Sequence, residues 1–228
     1  MTSKVHENAL ILFARDPVLG KVKTRLSPFL KDKEILELYI CFLKDSIDKI
    51  RQVNGADLFL GIASFDKSGF FRGVQGADIQ LFSQQGESLG DRMLQAFQDR
   101  FSEGYKRVVI IGSDSPSLPL SYIRQAVHFD KDLVLGPSTD GGYYLIGMRE
   151  KVVDVFNGVD WGTDLVLLET CHLLLEKGVS LELLPVWYDV DNSRDLKFFK
   201  THLKLMEEAG LVTSGETGRF LGEIISDS

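Results

Sequence analysis

Cysteine is scarce. Cys41 and Cys171 are the only two in 228 residues, and both fall inside helical patterns. So placed, they read as buried reduced thiols, which excludes a disulfide framework and offers no thiol nucleophile. No apolar run reaches 18 residues, so no membrane span is expected. Met1 to Asn8 is polar and lacks the apolar stretch of a signal peptide, making the cytoplasm the expected address. Positive charge is also short: 26 Lys and Arg stand against 33 Asp and Glu, for a net charge of −7 and a pI near 5.2. That balance argues against nucleic acid as the partner, because tracking a phosphate backbone needs a broad basic face. The four histidines, His6, His128, His172 and His202, have no metal-ligand spacing. No P-loop is present, since that motif would need Gly at Arg15 and Ser or Thr at Val22. Neither GxGxxG nor a GxSxG elbow occurs, and nothing repeats internally.

What is present is an ordinary globular composition, 44% hydrophobic and 26% charged, in a chain long enough for one substantial core. Short apolar runs alternate with helical patterns. Strands are expected at 9–14, 57–62, 79–83, 108–111, 132–136, 143–146 and 181–186. Helices are expected at 31–53, from Leu89 onward, at 120–129, 163–177 and 193–209. Phe70 and Phe71, in the 66–76 loop, read as packing groups. Ser88 and Asp91 have capping-box spacing, Thr163 and Asp191 stand where helix caps would, and Gly178 stands as a helix stop. The alternation predicts an α/β fold: one three-layer α/β/α domain, 1–228, with a mainly parallel sheet. Its core spans 9–209, and 210–228 reads as a peripheral C-terminal tail.

The polar segments that follow strands carry the chemistry. Val108 to Ile111 reads as a strand buried on both faces, and Gly112-Ser-Asp-Ser-Pro116 places the Asp114 carboxylate just beyond its carboxyl end. Ligands bind there in open α/β sheets. After the first strand, beyond Ala14, four cations (Arg15, Lys21, Lys23, Arg25) fall within eleven residues, which suits a diphosphate. Asp140-Gly141-Gly142 permits a tight hairpin turn and close backbone approach to a ligand. Trp161 and Thr163 bracket a turn that can line a pocket. Asp189 and Asp191, two apart in an extended segment, share a face, and Mg²⁺ takes one or two such carboxylates together with phosphate oxygens. Cations would bind a nucleotide's phosphates while Asp114 and Asp191 hold a metal bridging them.

Five segments in order, Leu10 to Leu26, Gly112 to Pro116, Leu135 to Gly147, Trp161 to Thr163 and Asp189 to Leu196, resemble the radical-SAM/selenodomain-associated transferase family. That family has the nucleotide-diphospho-sugar transferase (GT-A, SpsA-like) fold. The cationic loop also resembles that of guanylyltransferases acting on phospholactate. The resemblance implies a transferase with a nucleotide-sugar site at the sheet's carboxyl edge and Mg²⁺ or Mn²⁺ as cofactor. Ala14, Arg15, Lys21, Lys23 and Arg25 are then the expected phosphate-binding residues, and Asp114, Lys23 and Arg25 the expected catalytic ones. Asp114 and Asp191 are the expected metal ligands, with Asp140, Gly141, Gly142, Trp161 and Thr163 at the sugar or acceptor. The chain departs from the family pattern at Asp16, where a small residue is expected, at Ser117, and at Asn192-Ser193-Arg194. The first expectation is glycosyl transfer from a nucleotide-diphosphate sugar to a small acceptor. The alternatives are guanylyltransferase-like nucleotidyl transfer onto a phosphorylated small molecule, and a non-catalytic nucleotide-binding module.

Overall fold

A computed structural model describes residues 4–63, 67–211 and 215–225. The chain runs β1 (Asn8–Ala14), a 3₁₀ turn (Thr24–Leu26), α1 (Asp32–Ile50), β2 (Ala56–Ile62), α2 (Phe70–Val74), β3 (Ile79–Ser83), α3 (Leu89–Ser102) and β4 (Arg107–Gly112). It continues with α4 (Leu120–Val127), β5 (Leu133–Pro137), β6 (Tyr143–Arg149), α5 (Val166–Lys177), β7 (Leu181–Leu183), α6 (Ser193–Glu208) and α7 (Glu216–Ile225). Asp66, the first residue of the expected 66–76 loop, lies outside the described residues.

The seven strands form one sheet in the order β3-β2-β1-β4-β6-β5-β7. Every pairing is parallel except those of β6, which is antiparallel to both β4 and β5. The Asp-Gly hairpin therefore returns its second strand between β4 and β5, so the central strand β4 has one parallel and one antiparallel neighbour.

Burial on both faces explains the unbroken apolar runs. Along β1, Leu10, Leu12 and Ala14 join one core cluster, and Ala9, Ile11 and Phe13 the other, as the two-residue strand period requires. The first cluster packs under α1, α4, α6 and α7, with Phe42 and Phe199 edge to face at 5.9 Å. The second packs under α3 and α5 with the 153–156 segment. The capping box at Ser88 forms as expected, its hydroxyl accepting from the Asp91 N–H at 3.0 Å.

Several expectations are corrected. The helix expected from Leu89 onward faces the core with Met93 and Phe97, while Leu89 itself is exposed. Cys171 is exposed and Cys41 only partly buried, both as free thiols. The strand expected through residue 186 ends at Leu183, although Trp187 still bridges to Ser138. Thr163 does not cap α5. That helix begins after Leu165 with no side-chain cap; the Thr163 hydroxyl donates to the Asp160 carbonyl and accepts from the Leu165 N–H at 3.3 Å, ahead of the first helical turn. Asn192 rather than Asp191 caps α6, in a capping box with Asp195. Within 210–228, α7 packs against α1 and buries Leu221, with the Asp45 carboxylate accepting from the Glu216 and Thr217 N–H groups. An amphipathic helix was hidden there by the Gly and Ser that precede it.

Candidate active site

The sheet's carboxyl edge gathers three segments remote in sequence. The buried run of β4 ends at Gly112, and the chain turns through Ser113 to Ser117, all but Asp114 of them buried. Val190 is fully buried, and its N–H donates to the Asp114 carbonyl at 2.9 Å. That one backbone bond sets the Asp189–Asp191 segment beside the β4 turn, with Val190 in the core and an aspartate on either side of it. The third segment is the loop after β1.

Lys23 joins them. Its Nζ lies 2.6 Å from Asp114 Oδ1 and 2.6 Å from Asp191 Oδ1, and its side chain is 6% exposed. Burial by itself lowers the pKa of this ammonium. The carboxylates of Asp114 and Asp191 outweigh that effect and raise it, so Lys23 is held charged. Lys23 is one of two non-glycine residues with positive φ among those described, at φ 45° and ψ 39°. Such left-handed backbone is uncommon for a residue with a Cβ, and it concentrates at functional sites. Here it aims a lysine from an exposed loop into the edge of the sheet.

Asp189 takes a different position from Asp191. It accepts hydrogen bonds from the Ser115 hydroxyl and, at 3.2 Å, from Ser138 Oγ. Burial, reinforced by the negative charge of Asp114, pushes its carboxyl up to about 7. Asp189 therefore ties the β4 turn to the β5–β6 hairpin. Tyr39, on α1, holds the base of the cationic loop: its hydroxyl accepts from the Arg15 N–H at 3.0 Å and lies 3.4 Å from Ser113 Oγ. Nothing in the sequence beyond its place on the buried face of α1 distinguishes Tyr39. Ser138 likewise carries no sequence signal of its own.

The other expected residues divide. Ala14 is buried at the end of β1 and accepts from the Ala63 N–H at 2.9 Å. Arg15, Lys21 and Arg25 are exposed and form no ion pair among the described residues. Asp140 is exposed and accepts from the Gly142 N–H at 3.1 Å, closing the hairpin turn. Gly141 has φ +89°, and a Cβ there would sit 2.1 Å from the Asp164 carbonyl oxygen, so this position requires glycine on both counts. The same contact docks the turn against the start of α5, where the Leu167 N–H donates to the Gly141 carbonyl at 2.7 Å. Trp161 is engaged in packing: its indole lies over Gly90 and against Phe156 and Tyr143.

The departures from the family pattern have local explanations. Asp16 is buried, and its carboxylate is taken up by the segment after β2. Its carboxylate accepts from the Lys67 N–H at 2.8 Å and the Ser68 N–H at 3.1 Å, pinning the loop after β2. Ser117 accepts from Trp187 Nε1 at 3.1 Å and donates to the Tyr188 hydroxyl at 2.9 Å, and Tyr188 in turn meets His202 Nδ1 at 2.9 Å.

The donor set suits a hard divalent cation shared with phosphate. Asp114 and Asp191 present one carboxylate oxygen each around a single point that Lys23 Nζ takes. Mg²⁺ is commonly held by one or two carboxylates, with water and substrate phosphates completing the shell. Among the described residues no group of three His, Cys, Asp or Glu could cage a metal unaided.

This architecture has solved counterparts. A protein from Desulfovibrio desulfuricans G20, provisionally named a nucleotide-diphospho-sugar transferase, matches at TM-score 0.86 and 32% identity, over 96% of this chain and 95% of that one. The inositol-1-phosphate CTP transferase from T. maritima matches at TM-score 0.51 and 16% identity, over 92% of this chain and 100% of that one, a likeness of fold alone. In sequence, the 2-phospho-L-lactate guanylyltransferase of Methanocaldococcus jannaschii is 28% identical over 135 residues, 58% of this chain. The match spans 57% of that relative's length. These relatives are transferases by name, of nucleotidyl and nucleotide-sugar types. The fold is thus that of the nucleotide-diphospho-sugar transferases. Residues 46–163 match the family model described as uncharacterized protein conserved in bacteria, DUF2064, and the chain belongs to that family.

Proposed function

We propose that this chain is a metal-dependent nucleotidyltransferase, joining a nucleoside triphosphate to a phosphorylated small molecule with release of pyrophosphate. The observation that carries the reading is the Lys23–Asp114–Asp191 cluster at the mouth of a cationic loop. The kinship with a phospholactate guanylyltransferase supports it over glycosyl transfer, the first expectation from sequence. The chemistry is substitution at phosphorus. A phosphate oxygen of the acceptor attacks the α-phosphorus, a new P–O bond forms, and the bond to the β-phosphate bridging oxygen breaks.

Arg15, Lys21 and Arg25, exposed on the loop, serve as phosphate ligands, and Lys23 stabilises the charge that builds on the leaving pyrophosphate. Asp114 and Asp191 would hold Mg²⁺ or Mn²⁺, which when bound neutralises phosphate charge. The turn at Asp140, Gly141 and Gly142, docked on the start of α5 near Thr163 and backed by the Trp161 packing, forms the acceptor side.

Glycosyl transfer remains the second reading, favoured by the name of the D. desulfuricans relative. The association with radical-SAM proteins belongs to that reading too. The two reactions separate by product: pyrophosphate from a triphosphate, or nucleoside diphosphate from a nucleotide-sugar. The expected result is pyrophosphate, formed only with both a divalent cation and a phosphorylated acceptor. Replacing Asp114 with Ala should abolish metal-dependent nucleotide binding in a folded protein. Unchanged affinity and metal dependence would overturn the assignment.

A further inference from the structure

We infer that Lys23 is a built-in counter-cation that keeps the divalent-cation site closed until a nucleotide's phosphates draw the lysine away. The inference rests on the metal assignment made above for Asp114 and Asp191 and adds an order of binding to it.

Three observations carry it. Lys23 Nζ is 2.6 Å from one oxygen of each aspartate, so a cation ligated by those same two oxygens needs the position the ammonium holds. Two cations at that point would repel across a few ångströms, so metal and lysine exclude each other. The carboxylates are also more open to solvent than the lysine they hold. Its side chain is 6% exposed, while those of Asp114 and Asp191 are 46% and 34% exposed, so the aspartates stay open to a ligand from solvent. Finally, Lys23 departs from a left-handed backbone position in a loop whose other cations, Lys21 and Arg25, are exposed and form no ion pair among the described residues. A polyphosphate arriving at Lys21 and Arg25 offers the ammonium new anionic partners within the same loop. It thereby frees both aspartates as it brings its own oxygens to the metal.

Metal alone must displace a partly buried ion pair at both carboxylates. Metal with nucleotide exchanges that ion pair for lysine–phosphate contacts. The two ligands therefore bind with positive coupling, and coupling between two sites is reciprocal.

The test is Mn²⁺ binding followed by electron paramagnetic resonance, with wild type and Lys23→Met, each with and without a non-hydrolysable nucleoside triphosphate. Wild type should bind Mn²⁺ at least tenfold more tightly when the triphosphate is present. Lys23→Met should bind Mn²⁺ alone at least tenfold more tightly than wild type does, with the coupling to nucleotide reduced. Equal or weaker Mn²⁺ affinity in a folded Lys23→Met overturns the inference, as does the absence of coupling in wild type. Lys23→Gln, which keeps a polar side chain, repeats the comparison should the methionine variant not fold. Failure of the metal assignment gives a different pattern. Asp114→Asn and Asp191→Asn would then leave Mn²⁺ binding in the presence of nucleotide unchanged.

Discussion

Replacing Gly141 with Ala tests how closely the turn between β5 and β6 docks on the start of α5. Two penalties apply there and can be separated. The first is conformational: φ is +89°, where an L side chain costs about 1–2 kcal/mol. The second is steric. The new Cβ would lie 2.1 Å from the Asp164 carbonyl oxygen and 2.7 Å from its carbonyl carbon, both backbone atoms that no rotamer change can move. The turn must lift off α5, breaking the 2.7 Å hydrogen bond from the Leu167 N–H to the Gly141 carbonyl. Losing that bond costs roughly 1 kcal/mol, and overpacking of this kind a further ~1–3 kcal/mol. The expected destabilisation is about 3–6 kcal/mol. Gly158 provides the control, because it has φ +84° with nothing within 4 Å of a built Cβ. Gly158→Ala should cost only the conformational part, about 1–2 kcal/mol. Urea unfolding of both variants isolates the steric difference, expected at roughly 2–4 kcal/mol with an unchanged m-value. A difference below about 0.5 kcal/mol, the usual effect of an inconsequential substitution, would refute the close approach of the turn to α5.

Asp16→Ala should destabilise the protein by about 1–3 kcal/mol, since the Lys67 and Ser68 N–H groups lose their acceptor, without tightening triphosphate binding. A gain in nucleotide affinity would mean that the carboxylate faces the anion after all. Arg25→Ala should weaken triphosphate binding about tenfold or more, as loss of a charge-assisted phosphate contact does, and leave the melting temperature unchanged. Unaltered affinity by calorimetry would remove Arg25 from the site. Lys49, whose Nζ donates to the Pro116 carbonyl at 2.7 Å, is lowered to about 8 by burial, with Asp45 opposing the shift. Between about pH 8 and the unfolded value near 10.4, the unfolded chain holds a proton that the folded chain has lost. Stability from this residue therefore rises with pH through that window, by up to ~1.4 kcal/mol per pH unit. Denaturation between pH 8 and 9.5 should show the rise in wild type and its loss in Lys49→Met.

The parts of the fold legible in the sequence are those decided by local pattern. Leu10 to Phe13 and Val108 to Ile111 are unbroken apolar runs because both faces of the sheet are covered. Ser88 with Asp91, and Asp140-Gly141, are local chemistries that fix a helix start and a hairpin, and both formed. Strand order was not local. A hairpin pattern specifies that β6 runs antiparallel to β5, but not that it slides between β5 and β4. That insertion depends on which edge of β4 is open once β1 has paired with the other. Caps were misassigned for a similar reason. Thr163, Asp191 and Asn192 all have side chains suited to capping, and only the path of the chain decides which one faces free N–H groups.

The candidate site shows the same division one level up. Strand-end logic points to Asp114, Asp191 and the loop of Arg15 to Arg25, because in parallel sheets successive carboxyl ends lie on one edge. It treats the loop's four cations as equivalent, whereas the structure makes them unequal. Arg15, Lys21 and Arg25 stay in solvent, and Lys23 alone turns inward, through a positive φ that no residue pattern announces in a lysine. The determinant is the surroundings. Val190, itself in the core, fixes Asp191 beside the β4 turn, and the end of β4 delivers Asp114, so two carboxylates converge on one partly buried point. Two anions so close are costly without a cation, and the chain supplies one from the nearest loop at the expense of ordinary backbone geometry. Aspartates gathered at the sheet's carboxyl edge beside a cationic loop thus form a site already neutralised from within the chain. If Asp114 and Asp191 hold the metal as proposed, the free and nucleotide-bound proteins differ in where Lys23 points.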